Sequence, residues 1–436
     1  MSEPVPRRRR SSPPRAARRP EYRIRGWLDP AVVAVALLAL GSGFGQFGAV
    51  AALGDVARSF GHVADGSTIA EQAGLSGTEL GIGLAVLRLA SLGGLPLAGW
   101  ADRVGRRRIL LWTCGLGLMF TVAAAASPGY WWFVAIFACG RPLLSATNAV
   151  AAVAAAELTG ATDRARAVAL VAAGYGVGAG LAAIINAIAD GALGFRGTFV
   201  LAAVPLGLLA VLRRWVVEPD RFTRAVAAAE HPVPVLGPVD APFRGRLLIV
   251  AALSFAIAVI TGPANSFLYV YAENVLALPG AAIAAMVATA GVTGLVGLLL
   301  GSRLADRVGR RATSALAMVA IALLGVLTYS GSRPAVVTGY VLGVLAASTL
   351  APAAGALANE LFPTSVRASV AGWLVAASVL GAVAGLLAFG AIADAGNRFA
   401  LAAAATFLPA VGAIGLFTLL PETRGREPED LWPGIQ

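Results

Sequence analysis

Lysine is absent from this chain, so all 34 basic residues are arginine. With alanine, glycine and valine all abundant, the bias reads as GC-rich coding rather than chemistry. Charge of either sign is scarce: charged residues make up 13% of the chain and apolar ones 58%, whereas a soluble domain is about a quarter charged. A mean hydropathy of +0.77 describes a chain whose solvent is mostly lipid. Histidine and cysteine occur twice each. His62 and His231 fall between apolar runs, which argues against a histidine metal site or proton relay within a membrane. Cys114 and Cys139 fall inside apolar runs and read as packing thiols. No metal-ligand cluster, Ser-His-Asp set or glycine-rich nucleotide loop is evident, so neither an enzyme nor a cofactor is expected. A net charge of +11 would suggest nucleic acid in a soluble protein. Here the arginines flank apolar runs in alternate loops, which the positive-inside rule explains without a nucleic-acid partner.

What the chain does have is long apolar runs. Windows of about 19 residues place spans near 31–53, 80–100, 109–127, 131–156, 167–189 and 197–217. A second set follows near 247–271, 281–302, 313–330, 335–357, 369–393 and 399–420. The expected fold is all-α and polytopic, with twelve transmembrane helices in two pseudo-symmetric six-helix bundles. Residues 1–26 form a basic tail expected to be disordered, 27–217 the first bundle, 218–246 a charged linker, 247–421 the second bundle and 422–436 a second tail. Arg103, Arg106, Arg107 and Arg108 follow span 2, Arg164 and Arg166 follow span 4, and Arg303, Arg307, Arg310 and Arg311 surround the end of span 8. That pattern predicts both termini in the cytoplasm of a multi-pass protein of the cytoplasmic membrane.

The two halves are copies. Ala101-Asp102-Arg103-Val104-Gly105-Arg106-Arg107 returns 204 positions later as Ala305-Asp306-Arg307-Val308-Gly309-Arg310-Arg311. Glu157 and Arg164 are matched 203 positions later by Glu360 and Arg367, and Ala187-Ile188-Ala189-Asp190 returns as Ala391-Ile392-Ala393-Asp394. Two six-helix repeats in one orientation imply an axis along the membrane normal and a site between the halves. Gly105 permits a tight turn, Asp102 can accept from a facing helix N-terminus, and the arginines can pair with acids.

The loop Gly99-Trp100-Ala101-Asp102-Arg103-Val104-Gly105-Arg106-Arg107 resembles the loop 2-3 signature of the major facilitator superfamily. Residues 360–367 and Pro421-Glu422-Thr423-Arg424-Gly425 are similar to signatures of its sugar-porter and metabolite-symporter branch. The resemblance implies a secondary transporter of a small molecule, embedded in a lipid bilayer and working by alternating access, with no oligomer required. It also implies a cytoplasmic latch in which Asp102, Gly105, Arg106, Glu157 and Arg164 act with Asp306, Gly309, Arg310, Glu360 and Arg367. Asn265 and Tyr269 resemble the sugar-porter pattern on helix 7, but Val259 and Ile260 stand where that family carries glutamines.

Polar residues within spans point to the substrate, because an ionisable side chain at mid-bilayer costs ~2.5 kcal/mol or more and persists mostly where it faces a cavity. Arg88 and Arg141 are two such residues. Arg141, Ser145 and Asn148 share one helical face, as do Ser42 and Gln46, and Thr261, Asn265 and Tyr269. No acid lies within the middle of a span; Asp55 is the nearest, at the outer end of span 1, and Glu273, Asp190 and Asp394 read as helix-end or gating charges. Arginines without carboxylates favour an anionic or carboxylate-bearing metabolite. Coupling to protons, an efflux role for hydrophobic compounds, and a non-transporting sensor or enzyme stay open as alternatives.

Overall fold

The structure is a computed structural model, and it describes residues 26–64, 66, 68–160, 162–189, 194–219, 236–426 and 431–432. Among them, twelve helices are long and apolar enough to cross a membrane. The first bundle holds α1 (Pro30–Ala51), α2 (Gly77–Val104), α3 (Arg106–Ala124), α4 (Tyr130–Leu158), α5 (Arg164–Ala189) and α6 (Gly194–Leu212). The second holds α7 (Ala241–Val275), α8 (Gly280–Arg307), α9 (Arg310–Thr328), α10 (Arg333–Glu360), α11 (Ser365–Gly396) and α12 (Phe399–Leu419). Helices are what an apolar solvent demands, since each satisfies its own backbone N–H and C=O groups. The tail to residue 25, His231 and Asp190 lie outside the described residues.

Local chemistry sets where the helices begin and end. Asp29 caps α1 by accepting from Ala31 N at 2.9 Å. Helix α2 starts at Gly77 rather than at 80, because Ser76 and Glu79 form a capping box there. Within α2 a 3-10 turn, Ser91–Gly93, divides two α-helical segments, Gly77–Ala90 and Gly94–Val104. Pro96 explains the break, since it has no N–H to return to the Leu92 carbonyl. Helix α6 ends at Leu212 rather than 217, where exposed Arg213 and Arg214 leave the apolar zone. Helix α7 begins at Ala241, so residues 241–246 of the expected linker are helical, with a proline in the first turn to start them. Its far end changes character twice, with a break at Phe267 and a π-helical turn over Tyr271–Val275.

Packing repeats the duplication seen in the sequence. A Cβ on Gly178 would lie 2.0 Å from the Leu40 carbonyl oxygen, and one on Gly381 would lie 2.2 Å from that of Phe255. These glycines let α5 press on α1 and α11 on α7 at backbone distance. Gly174 likewise faces Ala36, whereas Gly176 and Gly180 face open space, so only half of that glycine tract is a packing device. Phe195 and Phe399, also 204 positions apart, stand near the starts of α6 and α12 and anchor an aromatic cluster in each bundle. Cys114 is buried as expected, but Cys139 is exposed on α4. The cause is helical phase: the buried residues Phe133, Phe137, Gly140 and Leu144 put Cys139 on the other side of α4.

Candidate functional site

The arginine-rich loops build two matched ion networks. In the first bundle the Arg106 guanidinium donates to both carboxylate oxygens of Glu157, at 3.0 and 2.9 Å, and lies 2.8 Å from Asp102. In the second, Arg310 meets Glu360 at 2.9 Å through one nitrogen, and Asp306 stands 3.7 Å away. The second network is looser: Arg310 Nε and Glu360 Oε2 are buried without a hydrogen-bond partner. Among the described residues, each of these ion pairs joins residues of one bundle. Arg164, expected to join the first, is exposed at the start of α5, and Arg367 donates to the Phe362 carbonyl of its own loop at 3.1 Å.

Gly105 and Gly309 make the turns expected of them, with φ of +111° and +121°. Another pair of residues completes those turns. Glu218 accepts from the backbone N–H groups of Arg106 and Arg107 at 2.6 and 3.1 Å, and Glu422 accepts from those of Arg310 and Arg311 at 3.0 and 3.2 Å. A carboxylate on the free N–H groups that open a helix is a favourable arrangement. The helix N-terminus assigned to Asp102 is therefore taken by Glu218, while Asp102 pairs with Arg106, four residues on and within its reach. Sequence reading missed Glu218, whose one signal there is its offset of 204 positions from Glu422. Burial pushes the Glu218 carboxyl up, with Glu157 adding to the rise against the two backbone bonds. Burial acts upward on Glu422 too, but four backbone N–H bonds outweigh it and hold that carboxyl below its ordinary value.

Deeper in the first bundle, the polar stripes of α1 and α4 meet. Arg141 donates to the Gln46 carbonyl at 2.9 Å, Ser145 reaches the Gln46 side chain at 3.4 Å, and Gln46 donates to Ser42 at 2.9 Å. Ser42 ends the chain on the Leu144 carbonyl at 2.8 Å. Arg88 and Arg141 each stand eleven residues after the first residue of their spans, at one depth of about 16 Å. The two guanidiniums feel each other's charge, and both feel Tyr175. Neither has a carboxylate partner among the described residues, and Arg141 Nε is buried without a hydrogen-bond partner. Tyr175 carries no mark in the sequence, being lodged in the glycine tract of α5. Its backbone lies against Gly43, where a Cβ would come 2.1 Å from the Tyr175 carbonyl oxygen. Asn148 is part-buried on the same face of α4.

The α7 residues are placed differently. Asn265 donates to the Thr261 carbonyl at 2.8 Å and lines a small cavity with Thr328 and Tyr340, inside the second bundle. Tyr269 is 1% exposed, with its hydroxyl beside that of Tyr340.

At the arginine-poor end the bundles are joined. Asp394 of α11 accepts from the Gly77 and Thr78 backbone N–H groups of α2, at 2.7 and 2.8 Å, and from the Thr78 hydroxyl. Asn274 donates to the carbonyls of Gly54 and Ala73 at 3.1 and 2.8 Å. Arg58 reaches Glu273 at 3.8 Å while holding Asp55. These bonds join the bundles at that end, whereas the ion pairs seen among the described residues at the arginine-rich end each lie within one bundle.

The chain is similar to known proteins. A family model described as Major Facilitator Superfamily matches residues 35–297 and 273–434. The chain is 26% identical over 370 residues to a "Probable 4-methylmuconolactone transporter" of Cupriavidus pinatubonensis, covering 81% of this chain and 84% of that one. It is 28% identical over 296 residues to a "Putative metabolite transport protein" of Haemophilus influenzae, covering 64% and 71% respectively. The fold is similar to that of the xylose transporter XylE from E. coli, in an inward open conformation, with a TM-score of 0.69, 18% identity and coverage of 92% of this chain and 98% of that one. The duplicated bundles, the matched loops and a family model spanning both halves lead to one conclusion: the chain belongs to the Major Facilitator Superfamily and is a membrane transporter.

Proposed function

We propose that this transporter carries a small metabolite bearing a carboxylate or similar anionic group, and that Arg88 and Arg141 receive that group. The observation that carries the reading is the pair of guanidiniums at one depth with no carboxylate partner among the described residues. Two cations in a low-dielectric interior are stabilised by an anion, and arginine can grip a carboxylate with two parallel N–H donors. Gln46, Ser145 and Tyr175 surround the pair, and Asn148 extends it along α4. The named cargo of one relative, a methylmuconolactone, and the metabolite named for another agree with a small organic substrate.

In this reading the arginine-rich loops face the cytoplasm, by the positive-inside rule, and the protein lies in the cytoplasmic membrane with both termini inside. The arginine-poor end is then the outer one, and its closure makes the present state inward-facing. Transport follows when the bundles rock, breaking the outer bonds of Asp394, Asn274 and Arg58 while the arginine-rich ends approach. The paired networks of Arg106 and Arg310 hold the helix ends that must meet in that motion.

A thermal-stabilisation screen of the purified protein tests the cargo. Carboxylates should raise the unfolding midpoint, and their amides should not. Stabilisation by neutral or cationic compounds alone rejects the anion reading and supports an efflux carrier instead.

A further inference from the structure

We propose that a crevice between α8, α9 and α10 binds an anionic phospholipid, with an acyl chain in the crevice and the phosphate at Arg303 and Arg307. Nothing in the transport cycle described above uses this face. The leaflet follows from the orientation proposed above, and the binding itself does not depend on it.

The crevice has a volume of about 340 Å³. Leu304 lines it from α8, Leu316, Ala320 and Leu324 from α9, and Leu345 and Thr349 from α10. The walls are almost wholly apolar, and the Thr349 hydroxyl is engaged by the Leu345 carbonyl at 2.9 Å. Helix α9 packs against α7, α8, α10 and α12, all of its own bundle, and Leu316 in the crevice wall is 67% exposed, so the slot opens towards lipid. From Thr313, at the arginine-rich end, to Leu324, α9 advances about 16 Å at ~1.5 Å per residue. The hydrocarbon core of a bilayer is ~30 Å thick, so the crevice has the depth of one leaflet. An apolar slot of that depth fits an acyl chain.

The duplication shows what sets this face apart. Positions 204 residues earlier carry a larger side chain at each point: Trp100 for Leu304, Trp112 for Leu316, Leu116 for Ala320 and Phe120 for Leu324. The second bundle is therefore the less bulky along this seam, and the crevice lies there. The rim differs in the opposite sense, since Arg303 stands where the first bundle has Gly99.

Charge decides the headgroup. Arg303 and Arg307 are four residues apart on α8, immediately before Leu304 and Val308 of the crevice wall, and both are exposed. Neither belongs to an ion pair or a side-chain hydrogen bond among the described residues, whereas Arg310 lies 3.7 Å from Asp306 and 2.9 Å from Glu360. Basic residues at a membrane surface attract anionic headgroups, and a guanidinium can give a phosphate two parallel N–H donors. A headgroup of zero net charge would leave part of this positive charge unanswered, so the occupant is an anionic lipid.

The test uses the full chain, purified in a neutral detergent and titrated with phosphatidylglycerol or with phosphatidylcholine of the same acyl chains. Thermal unfolding and native mass spectrometry of bound lipid are the readouts. Phosphatidylglycerol should raise the unfolding midpoint and stay bound at lower concentration than phosphatidylcholine. Arg303→Gln with Arg307→Gln should raise the phosphatidylglycerol concentration for half-effect about thirtyfold, from about fivefold for each charge. Leu316→Trp with Ala320→Leu, which copies the first bundle, should remove the phosphatidylglycerol effect with both arginines in place. Arg103→Gln, exposed at the matching point of the first bundle, should change nothing. Equal action of the two lipids, an unshifted half-effect in the arginine variant, an equal shift in Arg103→Gln, or an unaltered response in the crevice-filled variant overturns the site. If the crevice-filled variant fails to fold, the arginine pair and the Arg103 control decide. The cargo reading is judged separately, because carboxylate stabilisation through Arg88 and Arg141 should be the same in the Arg303/Arg307 variant as in the native protein.

Discussion

Glu218 and Glu422, 204 positions apart, perform the same act in the two halves: each caps the helix that follows a basic loop by accepting from two successive backbone N–H groups. The surroundings then separate them. Burial and Glu157 raise one carboxyl, while additional backbone donors lower the other.

That difference has a sign that can be measured. Glu422 has a folded value below its ordinary 4.5, so its stabilisation is present above that range and is lost as pH falls through the folded value. Glu218 is raised, so the stability linked to its protonation is present at low pH and declines as pH rises through its folded value. At neutral pH, Glu422→Gln should lower the unfolding midpoint more than Glu218→Gln. The Glu422→Gln deficit should shrink on acidification, as thermal unfolding at several pH values will show.

Gly105 and Gly309 should resist any side chain. Their φ values lie in the glycine region, and a Cβ on either would come 2.7 Å from the capping carboxylate. Gly105→Ala or Gly309→Ala should cost about 1–3 kcal/mol, read as a lowered midpoint, with transport falling in parallel.

The glycine tract of α5 offers an internal control. Gly178→Val should abolish the folded protein, because α1 has no room to retreat from the Leu40 carbonyl contact. Gly176→Val, with nothing within 4 Å of its Cβ, should be recovered at the native level by size-exclusion chromatography.

The two ion networks should differ in strength. Arg106 grips Glu157 through two nitrogens and its side chain is 10% exposed, so Arg106→Gln should cost about 3–5 kcal/mol by leaving the acid unpaired. Arg310→Gln should cost less, since its pairing with Glu360 is single. Equal losses in thermal unfolding would show that the second network is tighter than its geometry.

Much of the fold was legible because helical spans and a 204-residue offset are one-dimensional signals. The basic loops, the turns at Gly105 and Gly309 and the meeting of Ser42, Gln46, Arg141 and Ser145 all follow from spacing plus topology. Spacing fails where a helix is interrupted. Counting four residues from Asn265 to Tyr269 assumes a regular helix, but α7 breaks at Phe267, and Tyr269 falls into the core of the second bundle. Tyr175 and Glu218 escaped for another reason. Each acts on groups brought close only by folding, Arg88 and Arg141 in one case and the loop at Gly105 in the other.

Counterflow in proteoliposomes tests the account at its centre. A labelled carboxylate that stabilises the protein should exchange across the membrane, its amide should not, and Arg141→Gln and Arg88→Gln should each abolish exchange of the acid while the protein stays folded. Equal exchange of acid and amide, or exchange undiminished in both variants, would contradict the assignment of the arginine pair as the site that receives the anionic group.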